Sequence, residues 1–185
     1  MTKRPDACVE SRRVYTGRVV GLDIDTVRFP NGTMGMLEMV RHPGASAVLP
    51  FLSDPADEDP QILLLRQYRY AAGDFIYEVP AGRLEAGEEP LHCAVRELRE
   101  ETGCLAERIE HLITFYTTPG FTDERIHAFM AVGLSSGATE HERDEFITVE
   151  TLPLSQALAM IGQGRIVDGK TIITLLFAAG FRLGR

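Results

Sequence analysis

One stretch of the sequence, residues 82–104, restricts the possible folds more than any other part of the chain. It predicts a helix from Pro90 to Thr102, because proline is tolerated at the first helical position and Gly103 supplies the left-handed conformation that often ends a helix. Apolar residues recur within it at steps of three and four, which predicts one side packed against a core. The members of this apolar stripe are Leu91, Ala94, Val95 and Leu98.

The same helix carries three glutamates on another side of its axis. Glu97, Glu100 and Glu101 fall within a sector of about 100°, because residues three and four apart share a helix face. Each like-charge pair at this spacing costs about 0.2–0.5 kcal/mol, and a bound divalent cation would reverse that cost. Oxygen-only ligands suit Mg²⁺. The plainer alternative is a solvated surface helix, with Arg96 and Arg99 as the ion-pair partners of the glutamates.

The wider spacing favours the metal site. The stretch follows the pattern G-x5-E-x7-R-E-U-x-E-E-x-G-U, where U is aliphatic, and through it the chain resembles the Nudix hydrolase family. Cys104 is the one departure from that pattern, and because a free cysteine packs like a small hydrophobe, we expect no effect on the chemistry. The matching residues are Gly82, Glu88, Arg96, Glu97, Leu98, Glu100, Glu101 and Gly103.

The resemblance implies a bound Mg²⁺, with Mn²⁺ as a substitute. It assigns Glu97 and Glu101 as the main metal ligands, Glu100 as a further ligand and the Ala81 carbonyl as the group that completes the site. Arg96 is expected to orient these glutamates. Glu100 and Arg96 are therefore also predicted to belong to the catalytic machinery, while Glu88 supports the loops around the helix. The alternative for Arg96 is a plain surface salt bridge.

Segments outside the helix resemble the ADP-ribose pyrophosphatase subfamily. They are residues 66–70, 78–82 and 116–124, and Pro119, sixteen residues after Gly103, is the subfamily's marker. Pro119 and Gly120 are therefore predicted to contact substrate. Arg69 is predicted to clamp the diphosphate, because a guanidinium fork matches phosphate oxygens, and Arg41 is a second candidate. For both arginines the alternative is an exposed charge at a sheet edge.

Hydrolysis also requires a group that deprotonates or orients water. In related ADP-ribose hydrolases this group comes from a loop after the helix, and residues 141–146 occupy the corresponding place here. The register of the loop favours Glu142 as the base, with Glu145 as the fallback. An acidic turn without a catalytic role is the alternative for both residues.

Strand-forming runs on both sides of predicted helices indicate the α+β class. The resemblance implies a Nudix fold, an α/β/α sandwich around a mixed β-sheet. Residues 1–44 are expected to form an N-terminal antiparallel β-meander with a turn at Asn31-Gly32, in dimer contact, and residues 45–185 the hydrolase domain. Two helices, Leu154–Ile161 and Lys170–Phe181, are expected to close the chain.

Charge and composition restrict the partners. A net charge of -8 argues against nucleic-acid binding, which needs a basic face to displace counterions. Three cysteines without paired close spacing indicate neither a disulfide framework nor a zinc site, so a reduced cytoplasm is expected. No apolar stretch is long enough to span a bilayer. We expect a cytoplasmic protein with a small nucleotide sugar as substrate, and the resemblance implies a homodimer.

The predicted reaction is hydrolysis of ADP-ribose to AMP and ribose 5-phosphate. Another nucleoside-diphosphate sugar, such as GDP-mannose or UDP-glucose, is an alternative that the sequence barely separates from it. A third possibility is a sensor that binds ADP-ribose without cleaving it. The complete set of carboxylates disfavours the sensor, although a fold alone never determines a function.

Overall fold

The computed structural model describes residues 7–137 and 146–184. Its contacts divide the chain into two compact units. The first, called the meander unit here, comprises residues 1–44 together with 115–125, and the second, the catalytic unit, comprises residues 45–114 together with 126–185. The loop that carries Pro119 and Gly120 thus groups with the N-terminal strands.

The meander unit is built on a three-stranded antiparallel sheet in the order β1-β2-β3. The β2–β3 hairpin turns where Asn31-Gly32 predicts it, with Gly32 at a φ of 84° that an L side chain rarely adopts. Strand β1 is rich in charged and polar residues, and most of it is exposed. The strands are β1 (Cys8–Thr16), β2 (Gly21–Arg28) and β3 (Met34–Arg41).

The catalytic unit contains two sheets. One is mixed, in the order β7-β4-β9-β8, because β4 pairs in parallel with β9 and antiparallel with β7. The other is antiparallel, in the order β10-β5-β6. The strands are β4 (Ala45–Pro50), β5 (Gln61–Arg69), β6 (Asp74–Glu78), β7 (Ala81–Arg83), β8 (Cys104–Tyr116), β9 (Arg125–Ser136) and β10 (Ile147–Pro153).

Strand β4 lies at the centre of the catalytic unit. Every residue from Ser46 to Phe51 is buried, as expected for a strand covered on both faces. Helices α1 and α3 both pack against it, and α2 packs against β10. The helices are α1 (Pro90–Thr102), α2 (Leu154–Gly162) and α3 (Gly169–Phe177), and the last continues into a π-helical turn (Ala178–Arg182).

Helix α1 has the predicted bounds but a different inward side. Ala94 and Leu98 are buried in a cluster with Val48 and Phe129, as expected, whereas Leu91 and Val95 are 43% and 44% exposed. Instead, the buried side of α1 includes Glu97 and Glu101, which are 8% and 3% exposed. The expectation that all four apolar residues face the core is therefore wrong, and two of the carboxylates lie inside the fold.

Candidate active site

Arg96 binds three carboxylates at once. Its Nε and Nη2 donate to the two carboxylate oxygens of Glu88 at 2.9 and 3.0 Å, and its Nη1 donates to Glu97 at 2.5 Å and to Glu100 at 3.1 Å. The bonds to Glu88 raise the pKa of Arg96 above its ordinary value, and the same contacts lower the pKa of Glu88. Arg96 and Glu88 therefore stay ionised at neutral pH, and the bonds from Arg96 orient two predicted metal ligands, Glu97 and Glu100.

Glu97 lies against strand β7 where a glycine leaves room for it. A Cβ atom built on Gly82 would stand 1.7 Å from Oε1 of Glu97, well inside van der Waals contact. The absence of a side chain at Gly82 thus allows a nearly buried carboxylate to lie beside the strand backbone. This contact explains why the predicted pattern requires glycine at its first position.

Glu101 is held one residue earlier on the same strand. Its Oε2 accepts a hydrogen bond from the backbone N–H of Ala81 at 2.9 Å. Glu97 and Glu101 are one helical turn apart, so both carboxylates lie at the start of β7, next to the predicted carbonyl ligand. The structure therefore brings together Ala81, Glu97 and Glu101, with the less buried Glu100 at the edge of the group.

The donor atoms at this position fit a hard divalent cation, since all of them are oxygens. Within residues 7–137 and 146–184, no three acidic, histidine or cysteine side chains converge into a ready-made cage. Arg96 donates hydrogen bonds to the carboxylates of Glu97 and Glu100 and places its positive charge between them. Two nearly buried carboxylates beside the backbone of Ala81 and Gly82 are the feature that fits the cation.

Arg69, the predicted phosphate clamp, pairs with a buried carboxylate. Its Nε and Nη2 donate to the two oxygens of Glu78 at 2.6 and 2.7 Å, and the side chains are 41% and 2% exposed. This bond raises the pKa of Arg69, although burial opposes the shift. Burial raises the pKa of Glu78, but the bonds from Arg69 and the charge of Lys170 outweigh it and hold that pKa below 4.5. One edge of the guanidinium is thus engaged, and the prediction that Arg69 binds phosphate stays a prediction.

Sequence reasoning missed a group of side chains at the start of α3. Lys170 donates to Glu78 and, at 3.0 Å, to Asp168. Asp168 caps the helix by accepting from the backbone N–H of Thr171 at 3.0 Å, and the Thr171 hydroxyl accepts from Val79 N–H at 2.9 Å. An aspartate directly before an apolar helix is a recognised start signal and could have located this cap. No spacing in the sequence indicated that Lys170 would bond to Glu78.

In the meander unit, Arg41 is surrounded by carboxylates. It donates to Asp23 at 3.0 Å, to Asp123 at 3.3 Å and also to Asp25, and its side chain is 14% exposed. Burial lowers the pKa of Arg41, but these bonds raise it overall. The alternative of an exposed edge charge does not describe this residue. Its predicted contact with substrate stays a prediction.

Pro119 and Gly120 form the tip of an exposed turn in the same unit. The backbone N–H groups of Phe121 and Thr122 donate to the Thr118 carbonyl at 3.2 and 3.1 Å and close the turn. Phe121 in turn accepts from Val40 N–H at 2.8 Å, which ties the turn to β3. The unit thus brings the turn close in space to the strand end that carries Arg41. The two candidates for the base, Glu142 and Glu145, lie outside the described residues.

Comparison with known proteins identifies the family of the chain. Residues 42–174 match the family model described as NUDIX domain. The chain is 43% identical to the methanol dehydrogenase activator of Bacillus methanolicus, over 91% of this chain and 90% of that protein. It is 36% identical to the ADP-ribose pyrophosphatase of Bacillus subtilis (strain 168), over 96% and 94%.

A solved structure, described as the crystal structure of an ADP compounds hydrolase, superposes with a TM-score of 0.80. It covers 96% of this chain and 94% of its own, at 19% sequence identity. This likeness shows the fold, and it confirms the expected Nudix architecture around a mixed sheet. With the family match over residues 42–174, the chain belongs to the Nudix hydrolase family.

Proposed function

We propose that this enzyme hydrolyses the pyrophosphate bond of ADP-ribose to AMP and ribose 5-phosphate. The observation that carries the proposal is the pair of nearly buried carboxylates, Glu97 and Glu101, held against β7. A buried carboxylate is costly unless a cation or hydrogen bonds compensate it. The pyrophosphatase of Bacillus subtilis, similar along almost the whole chain, supports the choice of ADP-ribose.

Glu97, Glu101 and the Ala81 carbonyl would hold a divalent cation, with Glu100 as a further ligand. Mg²⁺ is the proposed ion, with Mn²⁺ as a substitute, because Mg²⁺ binds a few carboxylates and shares the oxygens of substrate phosphates. When bound, such an ion neutralises charge on the phosphates and makes water a stronger nucleophile. Arg96 is anchored by its bond to Glu88, and its bond to Glu97 would keep that ligand carboxylate in place.

Arg69 would bind the diphosphate through the edge of its guanidinium that faces away from Glu78. Arg41, Pro119 and Gly120 are proposed to contact the rest of the substrate. Glu142 is proposed as the base that removes a proton from the attacking water, with Glu145 as the fallback. The small anionic substrate is compatible with the acidic chain, because local arginines and the cation would supply the positive charge.

A substrate panel tests the proposal. The protein is incubated with Mg²⁺ and, separately, ADP-ribose, GDP-mannose, UDP-glucose, NADH and a diadenosine polyphosphate, and products are separated chromatographically. We expect kcat/KM for ADP-ribose to exceed the others by at least about tenfold, equivalent to ~1.4 kcal/mol in the transition state. Chelation of the metal should stop the reaction. Equal rates for GDP-mannose would support the alternative substrate, and tight binding of ADP-ribose without products would support a sensor.

A second candidate function follows from the relative from Bacillus methanolicus, whose name describes activation of methanol dehydrogenase. As the second candidate, we propose that the chain activates a dehydrogenase of this kind. The rate of purified methanol dehydrogenase is measured with and without the protein, and Glu101→Gln serves as the matched control. A rise that the variant reproduces would assign activation to binding alone, whereas a rise that the variant lacks would assign it to hydrolysis.

A further inference from the structure

We propose that Lys170 is a positioning residue for hydrolysis, which keeps Arg69 available to the diphosphate by sharing the buried carboxylate of Glu78. The inference rests on the proposed function of the same site. It concerns the N-terminal turn of α3, to which the sequence pattern assigned no role. Lys170 is 13% exposed, so its ammonium group lies within the protein and not in bulk water.

The charges around Glu78 carry the argument. Arg69 and Lys170 bring two positive charges, and Glu78 and Asp168 bring two negative charges, so this group of four is neutral. Glu78 is 2% exposed and receives hydrogen bonds from both cations. Without Lys170 the group would carry a net charge of about -1 in a region of weak screening, where charges interact strongly. A negative group beside Arg69 opposes the approach of a diphosphate.

The same turn of α3 also holds the short link between β6 and β7, which leads into the proposed metal site. The Thr171 hydroxyl donates to Asp168 at 2.7 Å and accepts from the backbone N–H of Val79 at 2.9 Å. Val79 is fully buried and lies two residues before Ala81. Lys170 reinforces this arrangement by its own bond to Asp168 at 3.0 Å. The first turn of α3 therefore positions both the clamp and the approach to the metal ligand Ala81.

The proposal distinguishes binding from chemistry. Lys170 is bonded to Glu78 and Asp168, neither of which is a predicted metal ligand, and it acts through these two carboxylates. Its loss should therefore weaken the binding of the diphosphate more than it slows the chemical step. We expect Lys170→Met to raise KM for ADP-ribose about tenfold, with kcat changed less than about threefold.

The test compares three variants in steady-state kinetics with Mg²⁺. Lys170→Met removes the charge and Lys170→Arg retains it. Arg165→Met, which removes an exposed charge in the segment just before α3, is the matched control. We expect KM to rise only in Lys170→Met and to return to within about threefold of the parent in Lys170→Arg. Binding of ADP to each variant, measured by calorimetry with Mg²⁺, should weaken in the same order.

Three results would overturn the proposal: equal KM values in Lys170→Met and Arg165→Met, a loss in Lys170→Arg as large as in Lys170→Met, or a parent protein that does not bind ADP. Circular dichroism and thermal unfolding identify a variant that fails to fold. If Lys170→Met fails to fold, the ADP affinity of Lys170→Arg is compared with that of the parent instead. The calorimetric measurement needs no turnover. A parent that binds ADP but hydrolyses no substrate would refute the proposed function alone. The ADP affinities of the three variants would then still decide whether Lys170 supports binding.

Discussion

At the scale of single residues, the site depends on a glycine as much as on its carboxylates. Gly82 has no side chain, and Glu97 occupies the volume that a Cβ atom would take. The colliding atoms belong to the end of a flexible glutamate, which can move away at little cost to the fold. Gly82 therefore controls the position of Glu97, a proposed metal ligand, more than it controls the stability of the fold.

We predict that Gly82→Ala folds like the parent but loses at least about tenfold in kcat. A misplacement of about 1 Å at a reacting group can cost as much as 10²-fold, and the added methyl group displaces Glu97 by at least that distance. Gly162→Ala is the matched control, since a Cβ there meets no atom within 4 Å. Thermal unfolding measures the fold, and steady-state kinetics measures the rate. Parent-like kinetics in Gly82→Ala would show that the Glu97 position is not critical.

Glu78 provides a prediction about pH. Its pKa lies below 4.5 in the folded protein, so its ionised form stabilises the fold above that pH. This contribution is lost as the pH falls through the lowered folded value. We therefore predict that the parent is more stable than Glu78→Gln at pH 7 and that the difference shrinks from about pH 5 to pH 3. Urea unfolding at several pH values measures it, and a difference independent of pH would contradict the account.

At the scale of elements, α1 combines a packing role and a chemical role on one inward side. Ala94 and Leu98 pack on Val48 and Phe129, while Glu97 and Glu101 meet β7. Because a helix repeats every 3.6 residues, the four residues share one arc, and the core contacts fix the rotation that presents the carboxylates. The proposed metal site therefore depends on the packing of Leu98.

We predict that Leu98→Ala lowers the free energy of unfolding by about 2–5 kcal/mol, the usual cost of removing a buried leucine side chain. Leu98 is 1% exposed. Leu91→Ala is the control, because the same change is made on the same helix at a side chain that is 43% exposed. Denaturant unfolding compares the two variants. Equal losses would show that the rotation of α1 is not set by this cluster.

The sequence predicted the bounds of α1 because proline and glycine act locally at helix ends, and the turn at Asn31-Gly32 for the same reason. It could not predict which side of α1 is buried, since that depends on contacts with β4 and β9 from distant parts of the chain. Strand β10 pairs with β5 across a long stretch of the chain, and no local pattern predicts such a pairing. In the site, the carboxylates followed from spacing, whereas the bonds from Arg69 and Lys170 to Glu78 depend on tertiary packing.

At the scale of the whole molecule, the described part of the chain contains no helix long and apolar enough to cross a membrane. A cytoplasmic location remains our proposal. The sheet of the meander unit exposes several large apolar side chains, among them Met36 at 76%, Tyr15 at 59% and Val9 at 58%. Exposed apolar surface of this kind often marks an interface between proteins.

We predict that the protein is a homodimer in solution, because pairing would remove these side chains from water. Light scattering coupled to size-exclusion chromatography should give about twice the chain mass of 20.5 kDa. Met36→Lys places a charge on the exposed sheet and should shift the distribution toward the monomer. A parent that elutes at the mass of one chain at micromolar concentration would contradict the prediction.

The central claim is that Glu97 and Glu101 hold a divalent cation that the enzyme requires to hydrolyse a nucleoside-diphosphate sugar. The most direct measurement is the rate of ADP-ribose hydrolysis by Glu101→Gln with saturating Mg²⁺, beside the parent and with the fold verified by circular dichroism. We predict a loss of about a hundredfold or more in kcat, because a metal ion contributes several kcal/mol to transition-state stabilisation and each ~1.4 kcal/mol is tenfold in rate. A folded Glu101→Gln variant that turns over ADP-ribose at the parent rate would contradict the account.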